Sequence, residues 1–450
     1  MNIFSPPVIK EFRATVSLGG PIIVSLLAQQ TLGFIDTVMA GNLSAKDLAA
    51  VAIGRSLFVP IFLVVLGVLL AVSPIVAQFY GERKIDQIGK TVWQGLLLSQ
   101  MLAIPSFFLV RNLEIVMHFM QITPEIIPIS MGYLKAISWS FPATFAYLTL
   151  RFFNEGISIT KPNLYFSLIA IPVNFVGNYA LMYGKFGFPK LGAIGAGWAT
   201  TMVWWTMLTA MLIFTFRMKN YQHFRIFHKM SLPNWRYMRE ILHIGIPNGM
   251  SLGMEVGMFA IAALIIGSLG VAIMAGHQIA INVASLTFMI PLGLSFATTS
   301  RVGFAVGEKN YDGVRIAGYV SGGLSVMVMC LTAAMMYLLP YAIVKIYSKD
   351  LAVIEVAAQL LLMAAIFQIS DGLQASAMGA LRGLKDTRIP MFVNIIAYWI
   401  IGIPLGYYLG IVRSMGAQGL WIGMIAGLTF AAISHTSRFY YITKTGKYRK

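Results

Sequence analysis

The chain has 450 residues, of which 58% are hydrophobic and only 11% are charged, whereas a soluble protein carries about 25% charged residues. The formal net charge is +17, and there is a single cysteine. This composition excludes a soluble enzyme and a disulfide-rich secreted protein, and it indicates an integral membrane protein of the all-α class.

Apolar runs long enough to cross a bilayer, which takes roughly 20 residues, recur along the whole chain. Their apolar residues are continuous rather than alternating, which excludes a β-barrel. A long run without Asp, Glu, Lys or Arg, 256–300, is interrupted by the turn GSLGV at 267–271. The sequence predicts about twelve transmembrane helices, at 14–37, 47–79, 91–111, 126–150, 162–183, 191–216, 240–266, 272–302, 315–338, 353–380, 390–410 and 416–438.

The Lys and Arg residues predict the orientation. If the amino terminus is cytoplasmic, most of the 33 Lys and Arg fall into cytoplasmic segments, as the positive-inside rule requires. This bias accounts for most of the net charge, so a nucleic-acid partner is not expected. The bilayer is the expected partner, and both termini are predicted to be cytoplasmic.

The longest basic stretch, 217–239, divides the chain into two halves of six spans each. We therefore predict two domains, an amino-terminal six-helix lobe at 1–225 and a carboxy-terminal six-helix lobe at 226–450. Because six is an even number, both halves start on the same side of the membrane, and any repeat between them is parallel.

A repeat is visible in the sequence. One constant shift along the chain places Gly19-Gly20-Pro21 on Gly245-Ile246-Pro247, and Gly81-Glu82 on Gly307-Glu308. A constant shift that keeps Gly and charged positions indicates duplication. Two pseudo-symmetric six-helix bundles suit a transporter that rocks about a central cavity.

Almost all Asp and Glu residues lie in loops or at the edges of spans, and three stand out inside predicted spans: Asp36, Glu255 and Asp371. An ionisable group at the centre of a bilayer costs roughly 2.5–3.5 kcal/mol, and under the repeat shift none of the three has a carboxylate counterpart. One interpretation is a structural polar group bonded to a neighbouring helix. The other is function: a buried carboxyl can take up and release a proton, or hold Na⁺ or a cationic substrate when ionised.

Polar side chains mark the same regions. Asn174 and Asn178 lie one turn apart, as do Gln278 and Asn282. Interhelical hydrogen bonding is the alternative role for each of these groups. The candidate supporting residues are Asn174, Asn178, Thr200, Gln278, Asn282 and Gln368.

Longer motifs are spread over nearly the whole chain: GFIDTVMAG (33–41), LAAVAIG (48–54), PIVAQFYG (74–81), KPNLYF (161–166), NYALMYGKFG (178–187), AGHQIAINVASLTFMIP (275–291), RVGFAVGE (301–308) and GALRGLKDTRIPM (379–391). In these motifs the chain resembles the multidrug and toxic compound extrusion (MATE) transporters, and among them the bacterial NorM-type branch.

The resemblance implies two six-helix lobes with a V-shaped cavity between them, in the bacterial inner membrane. It implies a monomer that is not an enzyme, needs no cofactor and exports cationic, amphipathic drugs and dyes in exchange for inward Na⁺ or H⁺. Asp36 resembles the amino-lobe acid, with Asn174, Asn178 and Thr200 beside it. Glu255 and Asp371 resemble the carboxy-lobe cation site, where the metal ion expected to bind is Na⁺.

The chain departs from the family pattern at two positions. Many NorM-type members have Tyr where this chain has Phe367, so a possible Na⁺ ligand is missing. Some archaeal members have Asp where this chain has Asn178, so the amino lobe has one acid fewer.

Three other functions have weaker support in the sequence. A flippase of lipid-linked saccharides shares the architecture but needs a basic cavity, and few Lys or Arg lie in the spans, with Arg55 and Lys135 as the candidates. An intramembrane aspartyl protease needs two converging Asp residues, and Asp36 and Asp371 lie in opposite halves. A channel does not explain two duplicated halves.

Overall fold

The computed structural model describes residues 5–227 and 231–448, which are helical apart from short connections. The helices of the first half are α1 (Pro6–Leu43), α2 (Ala45–Leu69), α3 (Val72–Gly81), α4 (Ile85–Arg111), α5 (Glu114–Phe119), α6 (Ile127–Ser138), α7 (Phe141–Gly156), α8 (Lys161–Tyr183), α9 (Ala193–Arg217) and α10 (Lys219–Gln222). Those of the second half are α11 (Trp235–Gly267), α12 (Val271–Gly307), α13 (Tyr311–Leu338), α14 (Pro340–Tyr347), α15 (Leu351–Gly383), α16 (Arg388–Asn394), α17 (Ile403–Tyr407) and α18 (Gly416–Thr445). The segments Ile395–Gly402 and Tyr408–Val412, on either side of α17, are π-helical.

Within the described residues, eleven helical segments are long and apolar enough to span a membrane. The all-α membrane fold is therefore confirmed. The fourth predicted span, 126–150, is the one that does not form a single long helix, because it is divided between α6 and α7. The division has a local cause, because Pro142 has no N–H to donate to the carbonyl of Ser138, four residues earlier.

Pro74 produces a similar division between α2 and α3, four residues after Leu70. Here the two helices still form one apolar segment, Ala45–Gly81. Prolines inside transmembrane helices are tolerated because neighbouring groups can satisfy the freed backbone carbonyls.

The chain forms two compact units by its packing: Val24–Gly249, called here the amino unit, and Met1–Ile23 together with Met250–Lys450, the carboxy unit. The predicted lobes, 1–225 and 226–450, assign residues 1–23 and 226–249 differently, and as functional lobes they stay a prediction. Both unit borders lie within continuous helices, α1 and α11, and the shift that relates the repeated motifs places one border on the other. The chain therefore crosses between units at equivalent points of the repeat.

Three pairs of tight turns repeat with the duplication. Left-handed backbone at a non-glycine residue is rare, yet it occurs at Arg83 and Lys309, at Ser158 and Lys385, and at Phe186 and Ser414. The two members of each pair are separated along the chain by nearly the same interval as the repeated motifs. The duplicated sequence thus folds into duplicated backbone turns.

Glycines allow close backbone contacts between helices in the carboxy unit. A Cβ atom built at Gly423 would lie 2.4 Å from the Gly402 carbonyl oxygen and 2.4 Å from the Gly406 Cα atom. One built at Gly419 would lie 2.4 Å from the amide nitrogen of Gly410. Small residues repeated every four positions let membrane helices pack backbone to backbone, which joins α18 to α17 and its flanking π-helical segments.

Candidate functional site

Asp36 lies near the carboxyl end of α1 and is only 7% exposed. Its Oδ1 atom accepts hydrogen bonds from Asn178 Nδ2 at 2.7 Å and from Asn174 Nδ2 at 3.0 Å. Its Oδ2 atom accepts from Thr200 Oγ1 at 3.3 Å. The structure thus brings together all four amino-half residues that the sequence singled out, and three neutral donors surround one carboxylate.

The packing of α8 on α9 positions these donors. Asn174 and Asn178 are four residues apart on α8, so their side chains project from the same face. Between them, Gly177 faces Ala199 of α9, and a Cβ atom built at Gly177 would lie 3.1 Å from the Ala199 Cβ atom. This close approach brings Thr200, the next residue on α9, within reach of the same carboxylate.

Asn178 keeps one polar atom without a partner. Its amide nitrogen donates to Asp36 and, at 3.3 Å, to Asn174 Oδ1. Its Oδ1 atom is buried and accepts no hydrogen bond within the described part of the chain. An amide oxygen left open beside a carboxylate is a ready ligand for a proton donor or a cation.

Arg55, on α2, is a cation near this carboxylate that the sequence reasoning did not connect with it. Its guanidinium lies against Gly33, one helical turn before Asp36 on α1, and its charge acts on the carboxylate. Tyr133 of α6 is buried on the same side and packs against Gly54. The available signal was a lone charge inside an apolar span, but α2 and α1 had to be packed before its partner could be identified.

Glu255 and Asp371 come together in the carboxy unit, where the charge of Glu255 acts on Asp371. Asp371 is 5% exposed, and its Oδ1 atom has no hydrogen-bond partner in residues 5–227 and 231–448. Gln374 interacts with the Glu255 carboxyl group and donates to Tyr398 Oη at 2.9 Å. Two carboxyl groups and two neutral polar groups therefore share one site, and the charge of Arg382, on α15, acts on Glu255.

Gln374 and Tyr398 were missed by the sequence reasoning. Gln374 follows Asp371 by three residues and so lies on the same face of α15, which was a usable signal. Tyr398 lies in an apolar π-helical run, where nothing in the sequence shows the direction of its hydroxyl group.

Gln368 forms a separate polar contact among three helices. Its Nε2 atom donates to Thr287 Oγ1 of α12 at 2.5 Å, and its Oε1 atom accepts from Thr332 Oγ1 of α13 at 3.0 Å. These interhelical bonds match the alternative role given to such groups. A role beside the carboxylates stays a prediction for Gln368.

Gln278 and Asn282, on α12, are both exposed. Asn282 Oδ1 accepts a hydrogen bond from Tyr347 Oη at 3.1 Å. Neither side chain is shown in contact with Glu255 or Asp371, and their supporting roles remain predictions.

Phe367 is packed in an aromatic cluster. Its ring centroid lies 5.8 Å from that of Phe259 and 5.7 Å from that of Trp421. Trp421 Nε1 in turn donates to His277 Nδ1 at 3.2 Å. This position therefore supplies apolar packing, and His277 has a structural partner.

In the described residues, no group of three or more His, Cys, Asp or Glu side chains is placed to hold a metal ion. A cation bound by Glu255 and Asp371 would need neutral oxygen ligands as well. Amide, hydroxyl and carbonyl oxygens are ligands that hard cations accept. The Na⁺ site proposed for these two residues stays a prediction.

Comparison with known proteins identifies relatives over almost the whole chain. The family model MatE matches residues 21–180 and 247–408, two segments whose first residues coincide under the repeat shift. Multidrug resistance protein MdtK of Yersinia enterocolitica is 39% identical over 441 residues, which are 97% of this chain and 96% of that protein. Probable multidrug resistance protein NorM of Idiomarina loihiensis is 39% identical over 427 residues, which are 94% of this chain and 92% of that protein.

Solved structures show the same fold. The eukaryotic MATE transporter AtDTX14 superposes with a TM-score of 0.90 at 21% identity, over 98% of this chain and 99% of its own. An outward-facing multidrug resistance MATE transporter of the MOP superfamily superposes with a TM-score of 0.89 at 18% identity, over 97% of both chains.

Proposed function

The chain belongs to the MatE family of membrane transporters, and we propose that it exports cationic, lipophilic drugs and dyes in exchange for inward Na⁺ or H⁺. Its relatives MdtK and NorM are named multidrug resistance proteins. Exchange would follow alternating access, in which the binding site faces each side of the membrane in turn.

The buried carboxylate of Asp36 carries the proposal. Three neutral donors hold it, within 3.3 Å, in a helix that crosses the membrane. A proton, Na⁺ or the ammonium group of a drug would each neutralise this carboxylate. Because they compete for one negative charge, binding of the ion releases the drug, and by linkage binding of the drug releases the ion.

Glu255 and Asp371 form the second proposed ion site. Like charges close together in a water-poor interior oppose each other, so a proton or Na⁺ between them is stabilising. Gln374 and Tyr398 supply neutral oxygen or amide groups around this pair. In the proposed cycle the ion enters from outside, binds at these carboxylates and leaves to the cytoplasm after the transporter turns inward.

The surrounding arrangement follows from the sequence. The bias of Lys and Arg supports cytoplasmic termini, and the bacterial relatives support the inner membrane of a bacterium. We expect a monomer that works without a cofactor and without an enzymatic step, with cationic amphipathic molecules as its ligands.

Dye efflux from everted vesicles, made from cells that lack other drug pumps, tests this function. Efflux would be driven by an H⁺ gradient and, separately, by an Na⁺ gradient. The proteins compared are wild type, Asp36→Asn, Glu255→Gln and Asp371→Asn. Asp312→Asn is the matched control, because Asp312 is an exposed acid in the first turn of α13.

We expect the control to transport like wild type with one of the two ions. Loss of an ion-binding carboxylate should reduce efflux driven by that ion at least about tenfold, since a hydrogen-bonded charge contributes roughly 1.5–3 kcal/mol. The amount of each variant in the membrane, measured by immunoblot, separates lost transport from lost protein. Unchanged gradient-driven efflux in all three variants of the membrane carboxylates would refute the coupling role.

A further inference from the structure

Arg55 lies in the apolar segment Ala45–Gly81 and is half-buried. A charged side chain inside a membrane segment is expensive and is normally paired or functional. Arg55 forms no ion pair and no hydrogen bond in the described part of the chain, in contrast to Arg151, which is paired with Glu155. The observed packing places its charge against α1.

Gly33 defines where this charge lies. A Cβ atom built at Gly33 would be 1.8 Å from Arg55 Nη1 and 2.4 Å from both Cζ and Nη2. Only a residue without a side chain therefore leaves room for the guanidinium here. Asp36 is three residues further along α1, where side chains share a face and Cβ positions are about 5–6 Å apart.

The guanidinium is thus within about one helical turn of the carboxylate without forming a direct ion pair. The other groups around Asp36 are neutral. They are the amides of Asn174 and Asn178 on α8, the hydroxyl of Thr200 on α9 and the phenol of Tyr133 on α6. Arg55 on α2 is the charged group that acts on this site.

We propose that Arg55 is a permanent internal counter-cation of Asp36, which determines how strongly that carboxylate binds a proton, Na⁺ or a cationic drug. This inference depends on the proposed role of Asp36 in exchange. Arg cannot lose its proton in a protein, so its charge is constant while that of Asp36 changes. Arg55 therefore weakens the attraction of every competing cation, and it stabilises Asp36 when no cation is bound.

The size of the effect follows from Coulomb's law. A unit charge roughly 7 Å away, at the effective dielectric constant of about 20 found near protein surfaces, corresponds to between about tenfold and a hundredfold in a binding constant. For a proton, the same factor is a shift of about one to two pH units.

Binding of ethidium to the purified full-length transporter in detergent, measured by fluorescence from pH 5.5 to 9, tests the inference. Arg55→Met removes the charge. Gly33→Ala keeps the charge but adds a methyl group where the guanidinium lies, and the far end of this flexible side chain can move away. Arg55→Lys retains a cation, and Lys135→Met removes an exposed positive charge from the neighbouring helix α6 as the matched control.

We expect Arg55→Met to bind ethidium about tenfold or more tightly at pH 9. We also expect protons to displace the dye at a pH about one unit higher than in wild type. Gly33→Ala should shift both quantities in the same direction, whereas Arg55→Lys and Lys135→Met should resemble wild type. In an Asp36→Asn background, Arg55→Met should have no further effect, because the carboxylate through which it acts is gone.

Wild-type binding and pH dependence in both Arg55→Met and Gly33→Ala would overturn the inference, and so would an Arg55→Lys variant that behaves like Arg55→Met. The proposed function fails in a different way: Asp36→Asn would then retain the pH dependence of the wild type. Gly33→Ala keeps the inference testable if the methionine variant does not fold.

Discussion

The three donors around Asp36 should differ in their effect on proton binding in the order of their distances. Asn178→Leu removes the donor at 2.7 Å, and Asn174→Leu removes the one at 3.0 Å. Thr200→Val removes a hydroxyl at 3.3 Å with little change in shape. Each substitution takes a hydrogen bond from the ionised carboxylate and leaves its protonated form less affected, so each should make proton uptake easier.

A hydrogen bond to a charged group contributes roughly 1.5–3 kcal/mol to the stability of that charge. Since about 1.36 kcal/mol corresponds to one pH unit, Asn178→Leu should raise the pH at which protons displace a bound dye by about one to two units. Thr200→Val should raise it by less than about one unit, because hydrogen bonds weaken as the donor moves beyond about 3.2 Å.

The assay is the displacement of bound ethidium from purified protein during a pH titration, with the dye affinity at pH 9 measured separately. Asp36→Asn is the reference for a site that has lost its titrating group. The reasoning would be refuted if Thr200→Val shifted the titration as far as Asn178→Leu. A shift of the Asn178→Leu titration to lower pH would refute it as well.

Two further predictions concern packing and the second site. Gly67→Ala should destabilise the protein by about 1–3 kcal/mol and lower its melting temperature in detergent, because the new Cβ atom would lie 2.4 Å from the Gly249 Cα atom. Gly323→Ala places its methyl group in open space and should leave the melting temperature unchanged. Equal melting temperatures for the two variants would contradict this prediction. Gln374→Leu should reduce ion-driven efflux about tenfold, because it removes the amide between Glu255 and Tyr398. Gln418→Leu, at an exposed position on α18, is the control and should transport like wild type. Wild-type efflux in both variants would show that the amide of Gln374 has no role in transport.

The membrane fold could be predicted from the sequence because the bilayer itself imposes the pattern. Every backbone polar group must be satisfied within the segment, so a long apolar run can only be a helix. The prediction was inaccurate for the span 126–150, where α6 ends at Ser138 and α7 begins at Phe141, next to Pro142. A hydropathy pattern does not register that a proline lacks a backbone N–H, although Pro142 is visible in the sequence.

The site was predictable only where one helix face carried the information. Asn174 and Asn178 are four residues apart, so one turn of α8 placed them together whatever surrounded it. Arg55 and Asp36 belong to different helices, and their approach depends on how α2 rotates against α1 at Gly33. That rotation is a property of the packed structure. The direction of the Tyr398 hydroxyl group also depends on packing, so the sequence did not indicate it.

Duplication gave the two halves similar backbones but different charges. In the amino unit, the charge of Asp36 is opposed by one cation, Arg55. The carboxy unit has two carboxylates, Glu255 and Asp371, and the charge of Arg382 acts on Glu255. In the amino unit one cation therefore balances the single carboxylate. In the carboxy unit one cation stands against two carboxylates, so one negative charge is left unbalanced. An uncompensated carboxylate in a poorly solvated site binds a small cation strongly, so we expect the carboxy unit to bind the coupling ion more tightly than Asp36 does. The compensated site binds more weakly and so can release a drug cation, which an exporter must do on every cycle.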